Sequence, residues 1–294
     1  MSVLFKGSGV AIVTPFTDDN QINYDKLGEL LDWHVEQGTD AIIIVGTTGE
    51  APTLEDEEHK VVVKFTVDKI AGRIPVIAGT GSNSTSHAIM MSQYAESVGA
   101  DGLLLVTPYY NKSTQHGLVK HFEAIADNVN IPCILYNVPG RTGVNINADT
   151  VGILAKHRNI AGIKEASGNI SYVTEVARIM PEGFGLWSGN DDMIVPLLSV
   201  GGHGVISVVA NVMPKETHDL VMKFHEGDIK GSAKLQLDMK PLIDALFCET
   251  NPVPVKEAMN MMGHKVGELR LPLVGMLEGN KALLEKELKA MNLL

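Results

Sequence analysis

The sequence predicts an α/β fold, a closed (β/α)8 TIM barrel with a C-terminal helical appendage. Short apolar, β-branched runs alternate with longer amphipathic segments, the pattern of repeated βα units around a parallel sheet. Eight such runs occur, with starts about 20 to 35 residues apart, close to what a strand, a helix and two loops require. After the eighth, helical periodicity continues without further strands.

The eight runs are 9–13, 41–45, 75–78, 102–106, 133–136, 161–164, 185–187 and 204–208. Helix punctuation lies between them. Asn23 precedes the amphipathic stretch 24–37, Gly38 follows it, and Thr53-Leu54-Glu55-Asp56 opens the next helix. Gly79-Thr80-Gly81 superficially suggests a dinucleotide loop, but Ser84 stands where G-x-G-x-x-G requires its last glycine, and that motif normally follows the first strand. Helical stretches then cover 214–226, 228–247, 255–262 and 279–291. The first closes the barrel, which divides the chain into a barrel of 1–224 and a helical domain of 225–294. Asn251-Pro252-Val253-Pro254 and Leu271-Pro272 serve as punctuation.

Twenty-four basic against 35 acidic residues give the 294-residue chain a net charge of -11, which argues against nucleic acid or an anionic membrane as partner. Cys133 and Cys248 are the only cysteines, so no C-x-x-C metal or redox pattern exists, and a reducing cytoplasm is expected. No histidine–carboxylate cluster at a strand end suggests a metal. Asp191-Asp192 read more simply as helix N-terminal carboxylates than as a magnesium site.

Active sites of such barrels lie at the C-terminal ends of the strands. Lys164 closes the otherwise apolar sixth run, and alternation points it into the lumen if Ile163 packs on the helices. Only a neutral amine attacks a carbonyl, and burial among apolar walls would lower an ordinary lysine pKa of about 10.4 by roughly 3 units. A lysine reaching to the rim, or pairing with Glu165 or Glu50, stays open on position alone. Tyr136 ends the fifth run beside it, with a phenol able to pass protons; Thr47 and Tyr110 could extend the relay. Gly46 and Gly49 flank Thr47-Thr48, as backbone approaching a ligand would require. Arg141, in Pro-Gly-Arg-Thr-Gly, is placed to grip a carboxylate or is a solvated loop arginine.

Together, and in this order, Gly46-Thr47-Thr48-Gly49-Glu50, Thr107-Pro108-Tyr109-Tyr110, the segment Tyr136 to Gly143 and the Lys164 strand resemble the pyruvate-dependent Schiff-base aldolases. That family includes N-acetylneuraminate lyase and dihydrodipicolinate synthase, and the similarity covers essentially the whole chain. Arg141 and the paired tyrosines look like the synthase branch; neuraminate lyases generally lack that arginine.

The resemblance implies a lyase forming an imine between Lys164 and pyruvate, with L-aspartate 4-semialdehyde as acceptor and 4-hydroxy-tetrahydrodipicolinate as product, on the diaminopimelate route to lysine. It implies no cofactor beyond that covalent imine. It assigns proton shuttling to Thr47, Tyr136 and Tyr110, the last across a subunit interface. Thr48 would hold the pyruvate carboxylate, Arg141 that of the semialdehyde, and backbone at Gly189 and Ile206 would line the pocket, in a homotetramer built as a dimer of dimers. The rivals are another aldolase of the family, cleaving sialic acid or a 2-keto-3-deoxy sugar acid, and a non-catalytic barrel that binds a 2-oxo acid.

One departure concerns the pocket where regulated members bind lysine. His59, Asn83 and Tyr109 match, but Pro52 replaces an alanine, Asp56 a histidine, and His87 the glutamate that holds the ammonium. Weak or absent lysine inhibition is therefore expected.

Overall fold

A computed structural model describes residues 3–294. Eight parallel strands close in sequence order into a barrel. They are β1 (Gly7–Ala11), β2 (Ala41–Ile44), β3 (Val76–Gly79), β4 (Gly102–Val106), β5 (Cys133–Asn137), β6 (Ile160–Glu165), β7 (Gly185–Ser188) and β8 (Gly204–Ser207). The outer helices are α1 (Tyr24–Glu36), α2 (Asp56–Ile70), α3 (Thr85–Ser97), α4 (Gln115–Ala126), α5 (Pro139–Thr142) and α6 (Ala148–Leu154). They continue as α7 (Ile170–Ile179), α8 (Ile194–Leu198) and α9 (Pro214–His225). Then come α10 (Ile229–Leu246), α11 (Val253–Met261) and α12 (Glu278–Ala290).

All eight expected runs are strands, with no end displaced by more than two residues. The largest displacement is in β1, which starts at Gly7 and not at residue 9. A Cβ on Gly204 would sit 1.9 Å from the Gly7 carbonyl oxygen, so β1 and β8 approach too closely there for a side chain, and a Cβ on Gly7 would sit 2.0 Å from Asp40 Oδ2. Gly79 and Gly81 have the same explanation: a Cβ on Gly79 would meet the Val45 carbonyl oxygen at 2.4 Å, and one on Gly81 the Val106 nitrogen at 2.3 Å. Helix α2 departs from its expected start, because Glu55 caps it in a reciprocal box with Glu58 while Thr53 lies in the preceding turn. Asn23 caps α1 by accepting from the Lys26 amide, as expected.

Strand alternation sorts the core into two layers. Ile43, Ile77, Leu104, Ile134, Tyr136, Trp187 and Ile206 fill the lumen, whereas Ile42, Leu103, Leu135, Ile163 and Leu186 pack outward on the helices. Phe5 plugs the lumen, stacked on Trp187 with ring centroids 4.9 Å apart. In register, Tyr136 pairs with Lys164 and Lys164 with Trp187, so these three side chains project to the same side.

The last three helices pack without a flexible linker. Ser232 of α10 donates to the Leu220 carbonyl of α9, and Gln236 to the Asp191 carbonyl above β7. Leu284 and Leu288 of α12 are fully buried. Among the described residues, no helix is long and apolar enough to cross a membrane.

Candidate active site

Lys164 is 6% exposed, its Nζ 4.3 Å from the Tyr136 ring centroid. Ile163 lies in the outer layer, so the alternation that turns Lys164 inward holds. Neither carboxylate considered as its partner is available. Glu165 accepts from Asn137 Nδ2 at 2.7 Å and from the Ser167 amide at 2.5 Å. Glu50 is paired with buried Lys256 at 2.8 Å. Burial lowers the Lys164 pKa to about 7 from an ordinary 10.5; Asp191 opposes the shift and Arg141 adds to it. The lumen thus supplies an amine that is substantially neutral near physiological pH, the state a nucleophile needs.

Tyr136 is buried, which raises its phenol pKa, while the Arg141 charge and a hydrogen bond with Thr47 act the other way. It therefore stays protonated near neutrality and can donate. The strand end that presents Thr47 is bent sharply. Val45 has φ 49 and Glu50 φ 56, a left-handed conformation that costs a β-branched valine about 1–3 kcal/mol. The ion pair of Glu50 with Lys256, and the bond from the Arg270 amide to Glu50 Oε2 at 3.0 Å, hold this loop from the C-terminal helices. Thr48 is buried and accepts from Asn251 Nδ2 at 3.0 Å, and Arg141 Nη2 donates to the Asn251 carbonyl at 3.0 Å.

Gly189 borders the lysine: a Cβ there would stand 3.0 Å from Lys164 Cε and 2.7 Å from Ala166 Cβ. Ile206 is fully buried in the lumen. Thr47, Tyr136 and Arg141 line a cavity of about 310 Å³ that also reaches Pro52, His59, His87 and Tyr109. Asn83 and Asp56 do not line it. Asn83 donates to the Tyr109 carbonyl at 3.2 Å and Asp56 bonds His87 Nε2 at 2.9 Å. His59 is buried and its pKa is lowered to about 4, mainly by desolvation, so it stays neutral.

Tyr110 is the one relay candidate that its own chain does not bring to the site. It is 92% exposed, with φ 71, and lies outside the cavity.

Asp191 and Asp192 are helix N-terminal carboxylates, as expected, standing in the first turn of the 3-10 helix Asp191–Met193. Asp191 Oδ2 accepts from the Val208 and Val209 amides at 3.0 and 2.9 Å, so it caps the turn after β8 and not its own. Asn251, Lys256 and Asp191 were not marked as site residues by sequence. The first stood in a Pro-rich stretch that read as punctuation, and a lone lysine inside the apolar run 253–262 was the available signal for the second.

A family model described as the dihydrodipicolinate synthetase family matches residues 4–291. The chain belongs to that family. Among relatives of the dihydrodipicolinate synthetase family, the 4-hydroxy-tetrahydrodipicolinate synthase of Thermoanaerobacter sp. (strain X514) is 57% identical over 292 residues, covering 99% of this chain and 98% of that one. That of Acetivibrio thermocellus is 58% identical over 286 residues, 97% of both chains. The crystal structure of dihydrodipicolinate synthase from Aquifex aeolicus superposes with a TM-score of 0.96 at 46% identity, over 98% of this chain and 99% of that one. The Thermotoga maritima enzyme gives 0.97 at 43% identity, over 99% and 100%.

Proposed function

We propose that the chain is a 4-hydroxy-tetrahydrodipicolinate synthase, condensing pyruvate with L-aspartate 4-semialdehyde through a Schiff base on Lys164. The observation that carries this reading is the Lys164 amine buried in the lumen 4.3 Å from the Tyr136 ring centroid, with its pKa lowered by burial to about 7, where Tyr136 also lines the cavity that Arg141 borders.

The neutral Lys164 amine attacks the pyruvate C2 carbonyl, and the carbinolamine loses water to give a protonated imine. The imine makes the methyl protons acidic; loss of one gives an enamine, whose carbon attacks the aldehyde of the semialdehyde. The alkoxide takes up a proton, and the semialdehyde's own amine displaces Lys164 from C2, closing the ring and restoring the free lysine. Tyr136 and Thr47, which line the same cavity, pass these protons. The imine is itself the electron sink, so this route calls for no cofactor. Thr48 would hold the pyruvate carboxylate and Gly189 and Ile206 the pocket wall beside it.

Tyr110 of the partner subunit would complete the relay, in a cytoplasmic homotetramer assembled from tight dimers. Its exposure and left-handed backbone on its own chain support a contribution across an interface.

Arg141 separates this function from the other aldolases. Arg141→Ala is expected to raise the KM for the semialdehyde about 10- to 100-fold while leaving borohydride trapping of pyruvate intact. Equal turnover of sialic acid or a 2-keto-3-deoxy sugar acid by the parent would count for a sugar-acid lyase instead.

Lysine is expected to leave the rate within about twofold at millimolar concentration, because no free carboxylate replaces the lost glutamate. Asp56 is already engaged by His87, which holds its carboxyl below the usual range. Half-inhibition at submillimolar lysine in an initial-rate titration would contradict this.

A further inference from the structure

Building on the reading that Thr48 and Arg141 hold the two substrate carboxylates, we propose that Asn251 is a positioning residue for both: its amide orients the Thr48 hydroxyl, and its backbone carbonyl holds Arg141.

Asn251 is 5% exposed and lies on the C-terminal side of the chain, far in sequence from both residues it touches. Its Nδ2 donates to Thr48 Oγ1 at 3.0 Å, and its carbonyl accepts from Arg141 Nη2 at 3.0 Å. It is held rigidly. The Lys256 amide donates to the Pro252 carbonyl at 3.1 Å, one turn into α11. Lys256 Nζ then reaches Glu50 Oε1 at 2.8 Å and the Glu268 carbonyl at 2.7 Å. The Thr47-Thr48-Gly49-Glu50 loop is thus clamped to one element at two points, Thr48 and Glu50, and the same element holds Arg141.

The consequence lies in hydroxyl polarity. A threonine hydroxyl has one proton and two lone pairs. An amide N–H donated to one lone pair leaves the proton free for another acceptor, and a substrate carboxylate can only accept. The chain Asn251 N–H to Thr48 O–H to carboxylate runs in one direction, each bond strengthening the next. A side chain at 251 that only accepts would take the Thr48 proton and turn the hydroxyl's lone pairs toward the incoming anion. Arg141 keeps its own partner, since that partner is the backbone carbonyl of residue 251.

Asn251→Asp tests this with little change in shape. Borohydride trapping at graded pyruvate gives the half-saturating concentration without the second substrate. Asn251→Asp is expected to raise it by about tenfold or more, while the semialdehyde KM at saturating pyruvate changes by less than about threefold. In a Thr48→Val background no hydroxyl remains to be oriented, so adding Asn251→Asp should move the pyruvate value by less than about twofold. Asn251→Ala, which removes the donor without adding an acceptor, should give a smaller rise in the same direction, and it carries the test if the Asp variant does not fold. An unchanged pyruvate dependence, an equal rise for both substrates, or the same rise in the Thr48→Val background would overturn the assignment; each is what an Asn251 that accepts from Thr48, or that is merely structural, would give. Absence of any pyruvate adduct in the parent chain would remove the Schiff-base reading itself, a failure distinct from these.

Discussion

Lys164→Met is expected to fold, to lose pyruvate trapping, to turn over at least about 10³-fold more slowly, and to be more stable than the parent near neutral pH. The loss of rate follows from removing the nucleophile, since none of the other described barrel strands carries a lysine. The gain in stability follows from linkage. Burial depresses the folded-state pKa to about 7, against 10.5 for the exposed side chain. Between those values the unfolded chain carries a proton that the folded chain has shed, so this site makes the parent more stable as pH rises through the window. Below about pH 7 both states are protonated and the folded state bears the full cost of the buried cation, on the order of 5 kcal/mol for a shift of this size. Methionine fills similar volume without a charge. Denaturant midpoints at pH 6 and pH 9 check the sign: the advantage of Lys164→Met should be larger at pH 6. A variant less stable than the parent at pH 6 would show that Lys164 is held as a favourable cation, unsuited to attack.

Tyr136→Phe should lower kcat about 10²- to 10³-fold, the range for removal of a positioned proton donor. The ring that lies 4.3 Å from Lys164 Nζ is preserved, as is most of the buried surface, so the melting temperature should barely move. What is lost is the phenol hydroxyl that shares the cavity with Thr47, and with it the first link of the relay. Rapid-quench trapping should show the imine forming more slowly but still on Lys164. A kcat within about twofold of the parent would put the proton donor elsewhere among the hydroxyls.

Much of this was legible in the sequence because barrel strands obey a period of two. Lys164 next to outward Ile163 had to face the lumen, and Tyr136, one strand earlier at the same height, had to be its neighbour. Gly7 and Gly79 lie in strands although the predicted runs left them out. Gly7 looks like a loop residue, yet it lies in β1 with φ 123 and with the Asp40 carboxylate where a Cβ would stand. The supports of the site were not legible. Asn251, Lys256 and Arg270 act on Thr48 and Glu50 from about 200 residues away along the chain, and no local pattern encodes a hydrogen bond across such a separation. Asp191 was legible as a helix N-terminal carboxylate, but that the amides it caps come from the next βα loop was not. Tyr110 was marked by sequence, and the single chain leaves it in solvent.

Intact-mass measurement after pyruvate and borohydride, on the parent and on Lys164→Met, tests the central claim most directly. The Schiff-base mechanism predicts one reduced pyruvate adduct per parent chain, mapped to Lys164, and none on the variant. A folded parent that binds pyruvate yet gives no adduct, or an adduct on the variant, would contradict it.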